Sequence, residues 1–384
     1  MLDEARRLAP RFSARAAEAD RDGAFPVDDF ADLRSAGFLG LMVPARLGGA
    51  EAGFSEYADV AYELARGNGA TALIFNMHAS VTGALSGVTD ELAEALGLPS
   101  SALEARDDAL KQAAAGSWYA VAMSERGAGS RLSQLATTYE RAGDGYRIRG
   151  SKTFCSGAGH ADAYLIAARS ADDPGQVSQF LVPAGDGLTV EPTWDALGMR
   201  ATASHDLHVD VTVPAPALLG GVEGLALVVA QLAPHWMVAS YAAVYVGVAR
   251  AAVDAAVEHV QARGLERLPA VRARIGRADA AVAAAHLVVR EAARRVDTSP
   301  GDAETNRWVW RAKLLAGTTA AEVAASMLEA AGTSAMRRGH PLERLYRDAR
   351  AGSLQPATSD VCADWLGVDA LGGDPDADGT APRW

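Results

Sequence analysis

A chain of 384 residues, 49% hydrophobic and 22% charged, is long enough for two or three domains on a large core and too apolar to be disordered. Its net charge of −12 excludes a nucleic-acid partner, because phosphate recognition needs a basic face. Only two cysteines, Cys155 and Cys362, are present, without metal-ligand spacing, which fits a reducing cytoplasm and no disulfide framework.

The stretch from Met1 to Asp22 is charged throughout and has no apolar run, so it does not read as a secretory signal. Residues 1 to about 114 read as helices. Pro26 and two acidic residues start one of them in Phe25-Pro-Val-Asp-Asp-Phe30. A break follows from Gly37 to Pro44, then a glycine turn at Leu47-Gly-Gly49. Ser55 is placed to cap an amphipathic helix through Tyr57, Val60 and Leu64. Ala70 to Leu85 is a further helix, almost wholly apolar, with His78 inside it.

From 117 to about 213 the pattern changes to short alternating runs divided by Gly, Asp and Pro. Tyr119 to Met123 and Tyr146 to Arg149 flank a glycine-rich turn from Glu125 to Ser130, which reads as strand, loop, strand. Gly127 and Gly129 allow a close backbone approach with N–H groups turned toward an anionic or carbonyl-rich ligand, although by itself Gly-x-Gly-Ser is also the pattern of a plain β-turn. Further runs at Ala163 to Ala168, Ser178 to Val182 and Leu207 to Val213 complete a small antiparallel β domain.

Helical patterning returns near Gly221. Gly224 to Ala249 carries no charged residue and is long enough to span a bilayer. Gln231, Pro234, His235 and Ser240 and its alanine-valine make-up mark it instead as a buried core helix running to about Arg263, with no membrane role. Leu268 to Val296 and Glu304 to Ala331 are two more helices. A break from Ala351 to Pro356 precedes a short helix from about Asp360 to Leu366, and Gly372 to Gly379 reads as a loose tail.

Four segments stand in a telling order: Phe38-Leu-Gly-Leu-Met-Val-Pro44 with Leu47-Gly-Gly49; Glu125-Arg-Gly-Ala-Gly-Ser130 with Gly150-Ser-Lys-Thr-Phe-Cys-Ser156; Leu197-Gly-Met-Arg-Ala-Thr-Ala-Ser204; and Pro341-Leu-Glu-Arg-Leu-Tyr-Arg-Asp-Ala-Arg350. With the helical, β, helical sequence of domains, they resemble the acyl-CoA dehydrogenase flavoprotein superfamily. The resemblance implies an α+β fold: an N-terminal helical domain at 1–115, a central antiparallel β domain at 116–218 and a C-terminal four-helix-bundle domain at 219–384. It further implies FAD, its ring lying between the β domain and the C-terminal helices.

On that resemblance Met123 and Ser124 lie along the flavin N5 and O4 edge, and Gly129 and Ser130 belong to the same loop. Phe154 stands where the family places a tryptophan, Cys155 beside it, and Ser156 where it places a flavin-contacting threonine. Arg263 takes the position of the arginine that meets the FAD pyrophosphate of a neighbouring subunit, and Thr358 is a further cofactor-binding position. From the residues alone, Arg263 can also be read as an ordinary helix C-terminal cation. A homodimer or homotetramer is implied, acting on a small-molecule substrate with an electron-transfer flavoprotein or a flavin reductase as redox partner.

The departures bear on the reaction. The family's catalytic glutamate falls six residues past Arg350, on Pro356, and its alternative site falls on Met237. The CoA-anchoring Asp-x-x-Arg falls on His235-Trp-Met-Val238. The Phe-Gly that follows the pyrophosphate arginine is replaced by Gly264-Leu-Glu-Arg-Leu268, two residues shorter, and Arg272 and Glu329 replace glutamines. His78, His235 and Asp360 are the candidate bases, although a histidine in an apolar helix is also an ordinary core residue and Asp360 an ordinary helix-start residue. Three readings follow: a dehydrogenase-type oxidoreductase with a non-standard base, a flavin monooxygenase of the same fold using reduced flavin and oxygen, and a non-catalytic flavoprotein subunit.

Overall fold

Runs rich in alanine, leucine and arginine make up the N-terminal part of the computed structural model, which describes residues 1–375. The end of the Gly372 to Gly379 tail therefore lies outside the described residues. The helices are α1 (Leu2–Asp22), α2 (Val27–Ser35), α3 (Phe54–Gly67), α4 (Gly69–Ser86), α5 (Asp90–Ala95) and α6 (Ser100–Ala114). Helix α3 begins at Phe54, and Ser55 does not cap it. The Asp297 carboxylate, from the far end of the chain, accepts from the Phe54 and Ser55 N–H groups at 2.6 and 2.9 Å. A carboxylate there satisfies orphan donors and complements the helix dipole, and here it also ties the first helical region to the last.

The central region holds β1 (Tyr119–Ala122), β2 (Thr138–Ala142), β3 (Gly145–Cys155), β4 (Ala163–Ser170), β5 (Val177–Pro183), β6 (Leu188–Glu191) and β7 (His205–Pro214). Two of these, β2 and β6, are absent from the expectation. Strand β2 pairs with β3 through a tight turn at Gly143-Asp144, so the flavin-type loop is followed by a hairpin rather than by a single strand. Four of the six pairings are antiparallel as expected, but β1 and β2 both run parallel to β4, end to end along one of its edges. The long excursion from β1 to β2 across the Glu125–Ser130 loop is what allows both to use the same edge.

The uncharged stretch is not one helix. It divides into α7 (Leu225–Leu232), a 3-10 turn at Pro234–Met237 and α8 (Ala239–Ala262). Pro234 causes the break, having no N–H to donate to the preceding turn. Pro234–Ala262 is long and apolar enough to cross a membrane, yet in its most apolar 18-residue window, of mean hydropathy 1.4, 83% of the residues are buried inside the fold. Around α8 pack α3, α4 and three C-terminal helices, α9 (Pro269–Thr298), α10 (Ala303–Ala331) and α11 (Pro341–Ala349). Helices α8 to α11 form the bundle; α12 (Ala351–Leu354) and α13 (Ser359–Ala370) pack on α10. Gly247 lets α8 lie close against α3, since a Cβ there would stand 2.5 Å from the Tyr62 carbonyl oxygen.

Candidate active site

The site is built where β1 ends. Its chain leaves the sheet at Met123 and Ser124, and the Thr153 N–H of β3 donates to the Ser124 carbonyl at 2.8 Å. Among the described residues nothing accepts from the Ser124 N–H or pairs with its hydroxyl, and the residue is half-buried. The loop then closes on itself: Glu125 and Gly129 exchange N–H···O bonds of 2.9 and 2.8 Å. This corrects one expectation, because the Gly129 N–H is used within the loop and is not offered to a ligand. Ser130 is half-buried at the loop's end.

Beneath the loop lies an ion pair that sequence reasoning did not assign. Glu125 accepts from the Ala136 and Thr137 N–H groups at 2.6 and 3.0 Å and from Lys152 Nζ at 2.7 Å. Lys152 is fully buried and also donates to the Met123 carbonyl at 3.3 Å. Burial opposes the carboxyl's charge, but the adjacent ammonium outweighs it and holds its pKa below the ordinary value. Strand alternation was the available signal, since Tyr146, Ile148 and Lys152 share the inward face of β3. A second tether runs from Arg126 to Asp206 of β7, at 2.6 Å.

The register of β3 slips between Lys152 and Cys155, and inside this bulge Phe154 takes a φ of 58°. A left-handed aromatic residue is strained backbone, and bulges beside active sites re-aim side chains. Here the bulge turns Phe154 outward, 60% exposed, with its ring edge to face with Trp194 at 6.0 Å. The same slip turns Cys155 inward. Its thiol is fully buried and pushed up to about 12 by burial, so Cys155 is a core residue and not a cofactor contact.

Ser156 is the outer member of a buried chain of hydroxyls. Its hydroxyl meets Ser204 Oγ at 2.9 Å, Ser204 meets Thr202 Oγ1 at 2.7 Å, and Thr202 donates to the Met199 carbonyl at 2.8 Å. The Met199 N–H in turn donates to Asp348 of α11 at 2.6 Å. The Leu197–Ser204 segment and the C-terminal signature are thus one construction. Arg347 completes it by donating to the Leu197 carbonyl at 3.0 Å while pairing with Asp20 and Glu343.

The candidate bases do not gather here. His78 is used at both ring nitrogens: Nδ1 accepts from the Tyr119 N–H at 3.0 Å and Nε2 donates to the Leu39 carbonyl at 2.7 Å. Burial pushes its imidazole down to about 4. It is a structural link between α4, the Phe38–Gly40 turn and β1, and has no lone pair left for a proton. His235 lies in the 3-10 turn, edge to face with Phe54; burial holds it too at about 4, against Asp297, and its Nδ1 is buried without a partner. Asp360 is exposed in the first turn of α13, where Thr358 is the cap, accepting from Val361 N–H at 3.3 Å. Thr358 therefore spends its oxygen on the helix. Arg263 caps the end of α8 and is exposed.

Pro356, expected at the family's base position, has no titratable group, and Gln355 before it accepts from the buried Tyr245 hydroxyl at 2.6 Å. Fully buried Lys313 of α10 fixes this segment by donating to the Gly352, Gln355 and Ala357 carbonyls at 2.9, 3.1 and 2.8 Å.

The tautomer of His78 gives a pH signature. Unfolded, the ring takes a proton near 6.5; folded, not until about 4. Stability is therefore expected to fall as pH drops from 6.5 toward 4, by about 3 kcal/mol from this residue. His78→Phe should lose roughly 1–3 kcal/mol at neutral pH by orphaning two backbone groups, yet show a shallower acid slope. Denaturant midpoints across that window check this; parallel slopes would show that His78 titrates normally in the fold.

Residues 1–96, 120–212 and 239–359 match the acyl-CoA dehydrogenase N-terminal, middle and C-terminal domains, in that order. The L-evernosamine nitrososynthase of Micromonospora sp. is 33% identical over 394 residues, covering 97% of this chain and 90% of that protein. A putative acyl-CoA dehydrogenase of Bacillus subtilis is 29% identical over 386 residues, covering 96% of each. The structure of dibenzothiophene monooxygenase (TdsC) from Paenibacillus sp. with FMN bound superposes with a TM-score of 0.85 at 25% identity, over 97% of each chain.

Proposed function

The chain belongs to the acyl-CoA dehydrogenase family of flavin oxidoreductases, and from that premise we propose that it is a flavin-dependent monooxygenase rather than a thioester dehydrogenase. The observation that carries this is that neither expected base position, Pro356 or Met237, holds a carboxylate, which leaves the His235 Nδ1 as the one buried candidate nitrogen without a partner among the described residues. Abstraction of an α proton needs a titratable group within hydrogen-bond reach. Pro356 and Met237 supply none, the Gln355 amide is tied to Tyr245, His78 has both nitrogens committed, and Asp360 faces solvent.

The residues of the loop fit a flavin. Ser124 keeps an unused N–H and hydroxyl for a carbonyl-edged ring, Phe154 and Trp194 offer apolar faces, and Ser156 presents a hydroxyl. When bound, flavin supplies the electrons that reduce dioxygen. The chain's own part is to hold the ring edge at Ser124 and Ser156 and to cover it at Phe154. We take the flavin to be FMN, supported by the FMN-bound relative and by the two-residue shortening after Arg263; FAD is the second reading. Chromatography of the released cofactor distinguishes them.

With both CoA anchors replaced at His235 and Val238, the substrate is proposed to be a small molecule that is not a CoA thioester. The names of the relatives, a nitrososynthase and a dibenzothiophene monooxygenase, support a nitrogen or sulfur centre as the oxygen acceptor. Reduced flavin would come from a separate flavin reductase, and the assembly would be a homodimer or homotetramer. Anaerobic addition of a panel of acyl-CoA thioesters is expected to leave the visible flavin band unchanged. Bleaching by any of them would restore the dehydrogenase reading, with the unpartnered His235 Nδ1 as the base to test first.

A further inference from the structure

We propose that the buried hydroxyl chain Ser156–Ser204–Thr202 reads the redox state of the flavin, making Ser156 an acceptor by default and so favouring the reduced cofactor. It rests on the reading of this loop as a flavin site, and adds to that reading that the Ser156 hydroxyl is the group facing the ring's N5, beside Ser124. Ser156, Ser204 and Thr202 are 7%, 5% and 0% exposed, and their oxygens stand 2.9 and 2.7 Å apart. Each hydroxyl has one proton. Both close pairs share a proton in three arrangements: two run continuously in one direction, and in the third Ser204 accepts from both neighbours, which loses the Met199 bond and still leaves Ser156 showing a lone pair.

In the inward polarity Ser156 donates to Ser204, Ser204 donates to Thr202, and Thr202 donates to the Met199 carbonyl at 2.8 Å. Ser156 then shows a lone pair to the cleft. In the outward polarity Thr202 donates to Ser204 and Ser204 to Ser156, which shows its proton, and the bond to Met199 is lost. That carbonyl is not stranded, because the Trp194 indole N–H and the Thr202 N–H both donate to it at 3.1 Å. The inward polarity wins by one internal hydrogen bond.

The two redox forms of a flavin differ at N5 in the matching way. Oxidised N5 is an acceptor; reduced N5 carries a proton and is a donor. Reduced flavin adds a bond to the inward chain at no cost. Oxidised flavin must reverse the chain, gaining its own bond and losing that to Met199. Thr202 and Ser204 are positioning residues in this scheme, acting through Ser156.

Removing the inner end of the chain should erase the bias. In Thr202→Val or Ser204→Ala, Ser156 can face either way with no bond lost. Both variants are expected to bind oxidised FMN about three- to tenfold tighter than the wild type, the factor one net hydrogen bond supplies, with reduced FMN unchanged. The midpoint potential of bound FMN should fall accordingly, a tenfold change being about 30 mV for two electrons. Anaerobic titrations of full-length protein with oxidised and with dithionite-reduced FMN, and dye-equilibrium potentials, measure this. Simple structural damage would weaken both forms together.

Thr202→Val is close to isosteric, and Ser204→Ala repeats the test should that variant not fold. If all proteins bind FMN but the ratio of the two affinities does not move, the chain does not discriminate and the proposal fails alone. If the wild type binds neither FMN nor FAD in either state, the flavin assignment of the cleft fails, and the proposal with it.

Discussion

Glu125→Ala is expected to destabilise the protein by about 3–5 kcal/mol and to abolish flavin binding, the cost of breaking a buried ion pair from one side. The carboxylate is the shared acceptor for two backbone N–H groups and for an ammonium with no exposure to water. Without it Lys152 keeps only the Met123 carbonyl, at 3.3 Å, and Ala136 and Thr137 lose their partner. The loop that sets Ser124 is then held only by its backbone bonds and the Arg126–Asp206 pair. Removing both charges should hurt less than removing one: Glu125→Gln with Lys152→Met is expected to recover at least half of the lost stability. Denaturant midpoints for the three proteins decide the matter. A single-variant loss under about 1 kcal/mol would mean that water reaches the pair.

Lys313→Met should cost a comparable amount, about 3–5 kcal/mol, by leaving three inward-facing carbonyls without a donor. Burial pushes the Lys313 pKa down to about 8, so at neutral pH the ammonium keeps its charge and the three N–H bonds that Gly352, Gln355 and Ala357 accept. The loss should be local before it is global. Amide exchange from Gly352 to Ala357 is expected to quicken most, because Lys313 is the cross-link that holds this segment against α10. Exchange unchanged there, with a general loss of stability, would point to packing of the lysine stem instead.

How far the sequence reaches can be traced through particular residues. The helical periodicity around Tyr57, the apolar run after Gly224 and the short strands at Ala163 and Leu207 are local signals, and the elements appear where they fall. The break at Pro234 was also local, since proline cannot continue a helix, but the all-apolar composition masked it. What was not legible depends on partners distant in sequence. Asp297 caps α3 from 243 residues away, so Ser55 looked like the cap. His78 finds Tyr119 only once α4 lies against β1, so its ring looked available.

The site divides in the same way. Ser124, Phe154 and Ser156 could be named from the loop motif. The bulge that separates the exposed Phe154 from the buried Cys155 could not, because strand alternation by itself puts the two on the wrong faces. Gly129 looked like a free donor until its bond to Glu125 closed the loop. Glu125 and Lys152 both stand in quoted motifs, but their pairing needs the distance between a loop and a strand 27 residues on.

The central claim, that this family member transfers oxygen rather than desaturates a thioester, is tested most directly by the fate of the oxygen atom. The protein would be supplied with FMN, a flavin reductase with its nicotinamide donor, and isotopically heavy dioxygen, over a panel of amino-sugar nucleotides and aromatic sulfur heterocycles. The account predicts a product of at least one panel member carrying a heavy oxygen atom on nitrogen or sulfur, formed only when the reductase is present. Oxygen consumed only to peroxide, with no heavy atom in any product while an acyl thioester bleaches the bound flavin, would contradict it.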